Sequence, residues 1–256
     1  MKLYSKIYGD SGQPLIIIHG LFGMSDNWNS LGKKFSKYYR VHLVDLRNHG
    51  RSPHSVEFDY EVMCKDLIDY IRDNNVQKPI LLGHSLGGKV VMKFAFSYPK
   101  EVAKLIVCDI APREYSVDFH EDLLSKIIKV NLDDCDKRSD VEEALINDIP
   151  DFRIRSFVLK NLYRDVNKRF AWRFNVKVLI QQISNIKEAS FLKGQCDIET
   201  LFVRGESSNY INKEDESLIQ KHFSNLHFKT INRAGHWVHA ENPNDFYSQV
   251  FKFCSN

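Results

Sequence analysis

The sequence predicts an α/β protein: a mostly parallel central sheet flanked by helices, with a helical cap inserted between two of its strands. Three observations lead there. Short apolar runs alternate with helical patterns, the order that a strand-helix-strand repeat produces. Several of those runs are continuous, as strands covered on both faces must be. The alternation then stops after Asp109, where roughly 80 residues of helical pattern follow, too many for a plain loop.

The composition permits such a fold. The chain has 256 residues, 43% hydrophobic and 27% charged, the usual globular mix. A chain of this length buries roughly 70–75% of its unfolded surface and folds without disulfides or metals. Its net charge of +3 gives no footprint of a dedicated nucleic-acid binder. The five cysteines (Cys64, Cys108, Cys135, Cys196, Cys254) form no Cys-x-x-Cys and are odd in number, which fits a reducing compartment. The polar start predicts no signal peptide. No apolar run approaches the ~18–20 residues of a membrane span. The location these features predict is the cytoplasm.

Taken in order, the strands are expected at 15–18, 41–44, 80–82, 105–108, 201–203 and, more weakly, 228–231. Helices are expected around 26–36, 60–74, 86–97 and 244–254. Residues 1–112 and 191–256 form the core, and residues 113–190 form the cap, with helical pattern and no convincing strand. The cap's charge is split. Residues 113–151 carry 5 basic and 12 acidic groups, and residues 152–190 carry 9 basic and 2 acidic groups. Two helical layers paired by opposite charge explain that split; a basic rim attracting anionic substrates is the alternative.

Chemistry enters at Gly83-His84-Ser85-Leu86-Gly87, a G-x-S-x-G between an apolar run and a helical pattern. In a strand–sharp turn–helix the serine stands strained above the sheet, with small neighbours clearing the turn. Ser85 is the candidate nucleophile. The adjacent His84 points elsewhere and packs beside the turn. His19-Gly20-Leu21-Phe22-Gly23 follows the strand at 15–18 and supplies an oxyanion loop: one N–H from Leu86, the other from Leu21 or Phe22. His19 is read as ordering that loop. His236, preceded by Gly235 after the last strand, is the candidate base; His239 is its competitor. A His-x-x-His metal pair lacks a third ligand at a recognisable spacing, so no metal is expected. Asp45 and Arg47 are read as fixing loops beneath the site.

These motifs together resemble the α/β-hydrolase superfamily. More closely, His19–Gly23, Asp45–Ser52, Asp109-Ile110-Ala111-Pro112, Trp172-Arg173-Phe174-Asn175 and Gly235–Glu241 are similar to bacterial YbfF-type esterases and to ABHD11-type hydrolases. The resemblance implies the α/β-hydrolase fold, a serine-histidine-acid triad and a cytoplasmic carboxylesterase or thioesterase acting on acyl esters, acyl-CoA among them. It implies no cofactor.

The acid is a departure. The common Gly-x-x-Asp reads Gly205-Glu206-Ser207-Ser208 here. Two carboxylates remain: Asp109, ending the strand at 105–108, where the YbfF-type resemblance places the acid, and Glu206. Selectivity is assigned to the cap, whose aromatic residues (Phe119, Phe152, Phe157, Tyr163, Phe170, Trp172, Phe174) either line an acyl pocket or form its core. Phe22, Trp172, Arg173 and Trp237 are the candidate substrate contacts. A carbon–carbon bond hydrolase or cofactor-free perhydrolase with the same triad is the rival enzyme, and a catalytically silent hydrolase-fold binding protein the non-enzymatic one.

Overall fold

The computed structural model describes residues 1–187 and 194–255. The cap boundary expected at 190/191 lies outside the described residues. Seven strands form the central sheet: β1 (Ser5–Tyr8), β2 (Gln13–Ile18), β3 (Tyr39–Val44), β4 (Ile80–His84), β5 (Lys104–Cys108), and, after the long insertion, β8 (Thr200–Gly205) and β9 (Leu226–Ile231). Their spatial order is β1-β3-β2-β4-β5-β8-β9. Only β1 runs antiparallel to its neighbour; every other pairing is parallel.

The continuous apolar runs are explained by cover on both faces. Successive strand side chains point to opposite faces. Ile16, Ile18, Leu81, Leu105 and Val107 pack on one side, against α2 (Tyr60–Asp73) and α3 (Leu86–Ser97). Leu15, Ile17, Leu82, Ile106 and Cys108 pack on the other, against α1 (Asn29–Phe35) and α10 (Pro243–Ser255). Each such buried side chain contributes about 1.5–3 kcal/mol.

Between β5 and β8 lie α4 (Asp118–Ile127), α5 (Arg138–Ile146), α6 (Phe152–Leu159), β6 (Leu162–Arg164), β7 (Phe170–Trp172) and α7 (Val176–Gln182). Their buried residues, among them Leu124, Val141, Leu145 and Leu179, continue the α2/α3 side of the core. The reading of this segment as strand-free is corrected: β6 and β7 form an antiparallel hairpin, Tyr163 opposite Ala171. Three-residue strands are too short to show a period, and their turn is set by Lys168 at φ 63° and two bonds between Asp165 and the backbone of Lys168 and Arg169. The opposite charges do pair in part. Arg155 meets Glu142 (3.4 Å) and Arg169 meets Asp133 (4.0 Å).

Two other elements escaped the sequence pattern. β1 is a four-residue edge strand with Ile7 exposed. α8 (Lys213–His222) buries only Asp215 and Ile219. It is fixed by its cap, where Asn212 and Asp215 exchange two 2.9 Å bonds, rather than by an apolar stripe. The short α9 (Val238–Glu241) precedes α10. Among the described residues, no helix is long and apolar enough to cross a membrane.

Candidate active site

The parallel strands carry their following loops to one edge of the sheet, the position at which such folds bind ligands. Ser85 stands there between β4 and α3, at φ 52° and ψ −116°. That conformation is costly for a residue with a side chain. It holds because the turn is crowded: a Cβ on Gly87 would lie 2.5 Å from the Ile18 carbonyl and 2.6 Å from that of His19. A Cβ on Gly83 would meet the Gly87 carbonyl at 2.2 Å. Glycine at both positions is therefore required by close backbone approach, as the G-x-S-x-G reading supposed.

Leu86 opens α3, so its N–H has no carbonyl one turn earlier to bond. The loop after β2 closes with Gly23 N donating to the Gly20 carbonyl (2.9 Å), which leaves the Leu21 and Phe22 amides outside that bond. Phe22 sits at φ 59°, and its carbonyl accepts from Asn161 Nδ2 (2.9 Å), tying this loop to the insertion. His19 orders the same loop. Its Nδ1–H donates to the Gly20 carbonyl (2.7 Å) and its Nε2 accepts from Leu46 N (3.0 Å), while burial pushes its pKa down to about 4.

The structure brings Asp109, not Glu206, to His236. Asp109 is fully buried, at φ 50°, and its Oδ2 lies 2.8 Å from His236 Nδ1. Gly205 N donates to Oδ1 (2.9 Å), and the Ser208 hydroxyl donates to Oδ2. The serine standing in the common aspartate position thus supports the carboxylate of the neighbouring strand. Glu206 instead accepts from Arg233 N (2.7 Å). Tyr210 stacks on the His236 ring, 3.7 Å between centroids and 17° between planes. No motif signals Tyr210; it follows Ser208 in a loop and is fixed by tertiary contacts, with its carbonyl accepting from Tyr115.

The two other histidines beside His236 are both buried. His84 donates from Nε2 to the His236 carbonyl (2.8 Å), and burial, reinforced by His236 and His239, holds its pKa well below the usual range. His239 stacks on Trp28 at 4.0 Å, with its pKa lowered to about 3 by burial. Beneath the site, Asp45 accepts from the Ser25 and Arg51 amides, and Arg47 forks onto Asp66 at 2.6 and 2.9 Å.

A cavity of about 390 Å³ opens above Ser85 and His236, with Phe22, Phe119, Phe157 and Trp237 in its wall and Arg153 and Lys160 beside them. The cap aromatics divide accordingly. Phe152 is exposed and Phe174 is buried against Phe22. Trp172 and Arg173 are placed elsewhere: the hairpin stacks Trp172 on Phe174, and the Arg173 guanidinium covers the Tyr163 ring at 4.4 Å. Neither is among the described residues lining the cavity. His120, not singled out in the sequence, does line it. Its Nδ1 is buried without a partner among the described residues, and burial lowers its pKa to about 4.

Residues 13–243 match the family model described as the alpha/beta hydrolase fold. The sn-1-specific diacylglycerol lipase ABHD11 of Mus musculus is 34% identical over 98% of this chain and 84% of its own length. Esterase YbfF of Escherichia coli is 31% identical over 96% and 94%. Among solved structures, a marine microorganism esterase superposes with a TM-score of 0.95 at 36% identity, covering 98% of this chain and 99% of the other.

Proposed function

Because the chain belongs to the alpha/beta hydrolase family and its relatives include esterases and lipases, we propose that it is a serine carboxylesterase with the triad Ser85, His236 and Asp109. The observation that carries this reading is the buried Asp109 carboxylate 2.8 Å from His236 Nδ1, on the sheet edge that presents the strained Ser85. Asp109 holds the imidazole with its proton on Nδ1, so Nε2 is free to take the serine proton.

The mechanism is two-step acyl transfer. As Ser85 Oγ bonds to the acyl carbon, its proton passes to His236. The oxyanion is held by the amides of Leu86 and Leu21, each such donor being worth about 10²–10³ in rate. His236 then protonates the departing oxygen or sulfur as its bond to carbon breaks. Water bonds to the acyl carbon in the second half, giving its proton through His236 and restoring Ser85 as the acid leaves. The two cations beside the cavity, Arg153 and Lys160, support phosphorylated thioesters such as acyl-CoA as one substrate class.

The test is Ser85→Ala. Turnover of p-nitrophenyl esters and labelling by a fluorophosphonate probe are both abolished; persistent labelling at another residue would overturn the assignment.

A further inference from the structure

Ser85 stands between two cavities of unequal size. Besides the cavity of about 390 Å³, a second of about 50 Å³ reaches Ser85 from the α3 side, walled by Leu86, Ile110, Val117 and Ile186. Tyr210 and His120 line both; His236 lines the large cavity and is not among the described residues lining the small one. We propose that the acyl group of the substrate occupies the small cavity and its leaving group the large one. This rests on Ser85 and His236 being nucleophile and general acid.

The assignment follows from where the proton must go. Collapse of the tetrahedral adduct requires His236 Nε2 within hydrogen-bond reach of the departing oxygen or sulfur. That atom therefore leaves on the His236 side of Ser85, where the large cavity lies. The acyl substituent is bonded to the other side of the same carbon and is directed away from His236, toward α3. There the apolar Leu86, Ile110, Val117 and Ile186 share the wall with Ser116, His120 and three tyrosines, and with Lys89, whose ammonium is held by the Lys187 carbonyl (3.2 Å) and faces the rings of Tyr60 and Tyr115 at 5.7 and 5.1 Å. The cap aromatics Phe119 and Phe157 then recognise the leaving group, not the acyl chain.

The size of the small cavity limits the acyl group. One water-sized group needs about 10–15 Å³ measured this way, so about 50 Å³ holds roughly three to five heavy atoms. Acetyl to pentanoyl groups fit, and longer chains do not. The large cavity, roughly eight times the volume, takes a bulky leaving group.

The experiment uses p-nitrophenyl esters from acetate to dodecanoate on the full chain. Active enzyme is counted by fluorophosphonate labelling, so that misfolded protein is not mistaken for low activity. kcat/KM is expected to peak at two to five carbons and fall at least tenfold by eight. Val117→Ala or Ile186→Ala moves that limit to longer chains, whereas Phe157→Ala leaves it in place and changes discrimination among acetates with different leaving groups. Labelled enzyme that prefers eight carbons or more, or a chain-length limit that moves with Phe157→Ala and not with the α3-side variants, overturns the assignment while leaving the esterase reading intact. Absence of both labelling and hydrolysis overturns the two together.

Discussion

Replacing Asp109 by Asn tests the acid most directly, because the local hydrogen bonds dictate how the amide would lie. Gly205 N donates to Oδ1 at 2.9 Å, so the amide oxygen is fixed at that position. The NH₂ group then occupies the place of Oδ2 and faces His236 Nδ1, 2.8 Å away, together with the Ser208 hydroxyl. Facing a donor, Nδ1 must become an acceptor, which moves the imidazole proton to Nε2. In that tautomer His236 takes no proton from Ser85. The expected loss in kcat is up to about 10⁴-fold, equivalent to about 5 kcal/mol of transition-state stabilisation. KM for a short ester changes little, since Asp109 is buried and does not line the cavity. Steady-state kinetics corrected for labelled active sites gives the answer. Glu206→Gln is the control: its carboxylate holds the Arg233 amide, and its loss is expected to change kcat less than about threefold. Full activity in Asp109→Asn, or a collapse in Glu206→Gln, would refute the reasoning.

Three further outcomes are expected. Tyr210→Phe keeps the ring on His236 and leaves kcat within about twofold; Tyr210→Ala removes a stack worth about 0.5–1.5 kcal/mol and lowers kcat by about two- to tenfold. Burial lowers the pKa of His19, His49 and His239 to about 4, 3 and 3, below the 6.5 of an unfolded chain. Below pH 6.5 the unfolded chain therefore binds more protons, and stability falls with pH by about 1.4 kcal/mol per unit for each histidine until its folded pKa is reached. A Tm at pH 5 at least about 10 °C below that at pH 7 follows; an unchanged Tm in calorimetry contradicts it. Finally, if Arg153 and Lys160 attract a phosphorylated leaving group, kcat/KM for an acyl-CoA falls steeply with added salt while that for a neutral ester does not; parallel curves remove the idea.

The sheet was legible because its strands carry their burial in composition: β2, β4 and β5 are runs of Ile, Leu and Val that only two-sided cover explains. The serine turn was legible because backbone approach demands Gly83 and Gly87. What stayed hidden was held by tertiary contacts rather than by period. α8 is a polar helix secured by its cap, β6 and β7 are three residues each, and Tyr210 reaches His236 from a loop. The positive φ angles of Phe22 and Asp109 fall in the same category. These two residues, in a region that favours glycine, leave no signature of strain in the sequence, yet they mark the oxyanion loop and the acid candidate, whereas the strain at Ser85 was announced by its motif.

The position of the acid candidate has a geometric cause. β5 and β8 are adjacent and parallel, with Cys108 opposite Val203, so their C-terminal ends approach His236 from neighbouring tracks about 4.8 Å apart. A carboxylate leaving either strand reaches the same imidazole nitrogen if the chain beyond it turns correctly. On β5 that turn is the positive φ of Asp109, anchored by its N–H on the Val203 carbonyl (2.7 Å). A second carboxylate at the position after β8 would be forced to stay protonated, because two such charges cannot both ionise in one buried site. A hydroxyl suits it better. Ser208 donates to the same Oδ2 that faces His236, and Gly205 supplies a further donor to Oδ1. The missing Gly-x-x-Asp and the presence of Asp109 at the end of β5 are thus one arrangement, in which the serine keeps the buried charge hydrogen-bonded and aimed.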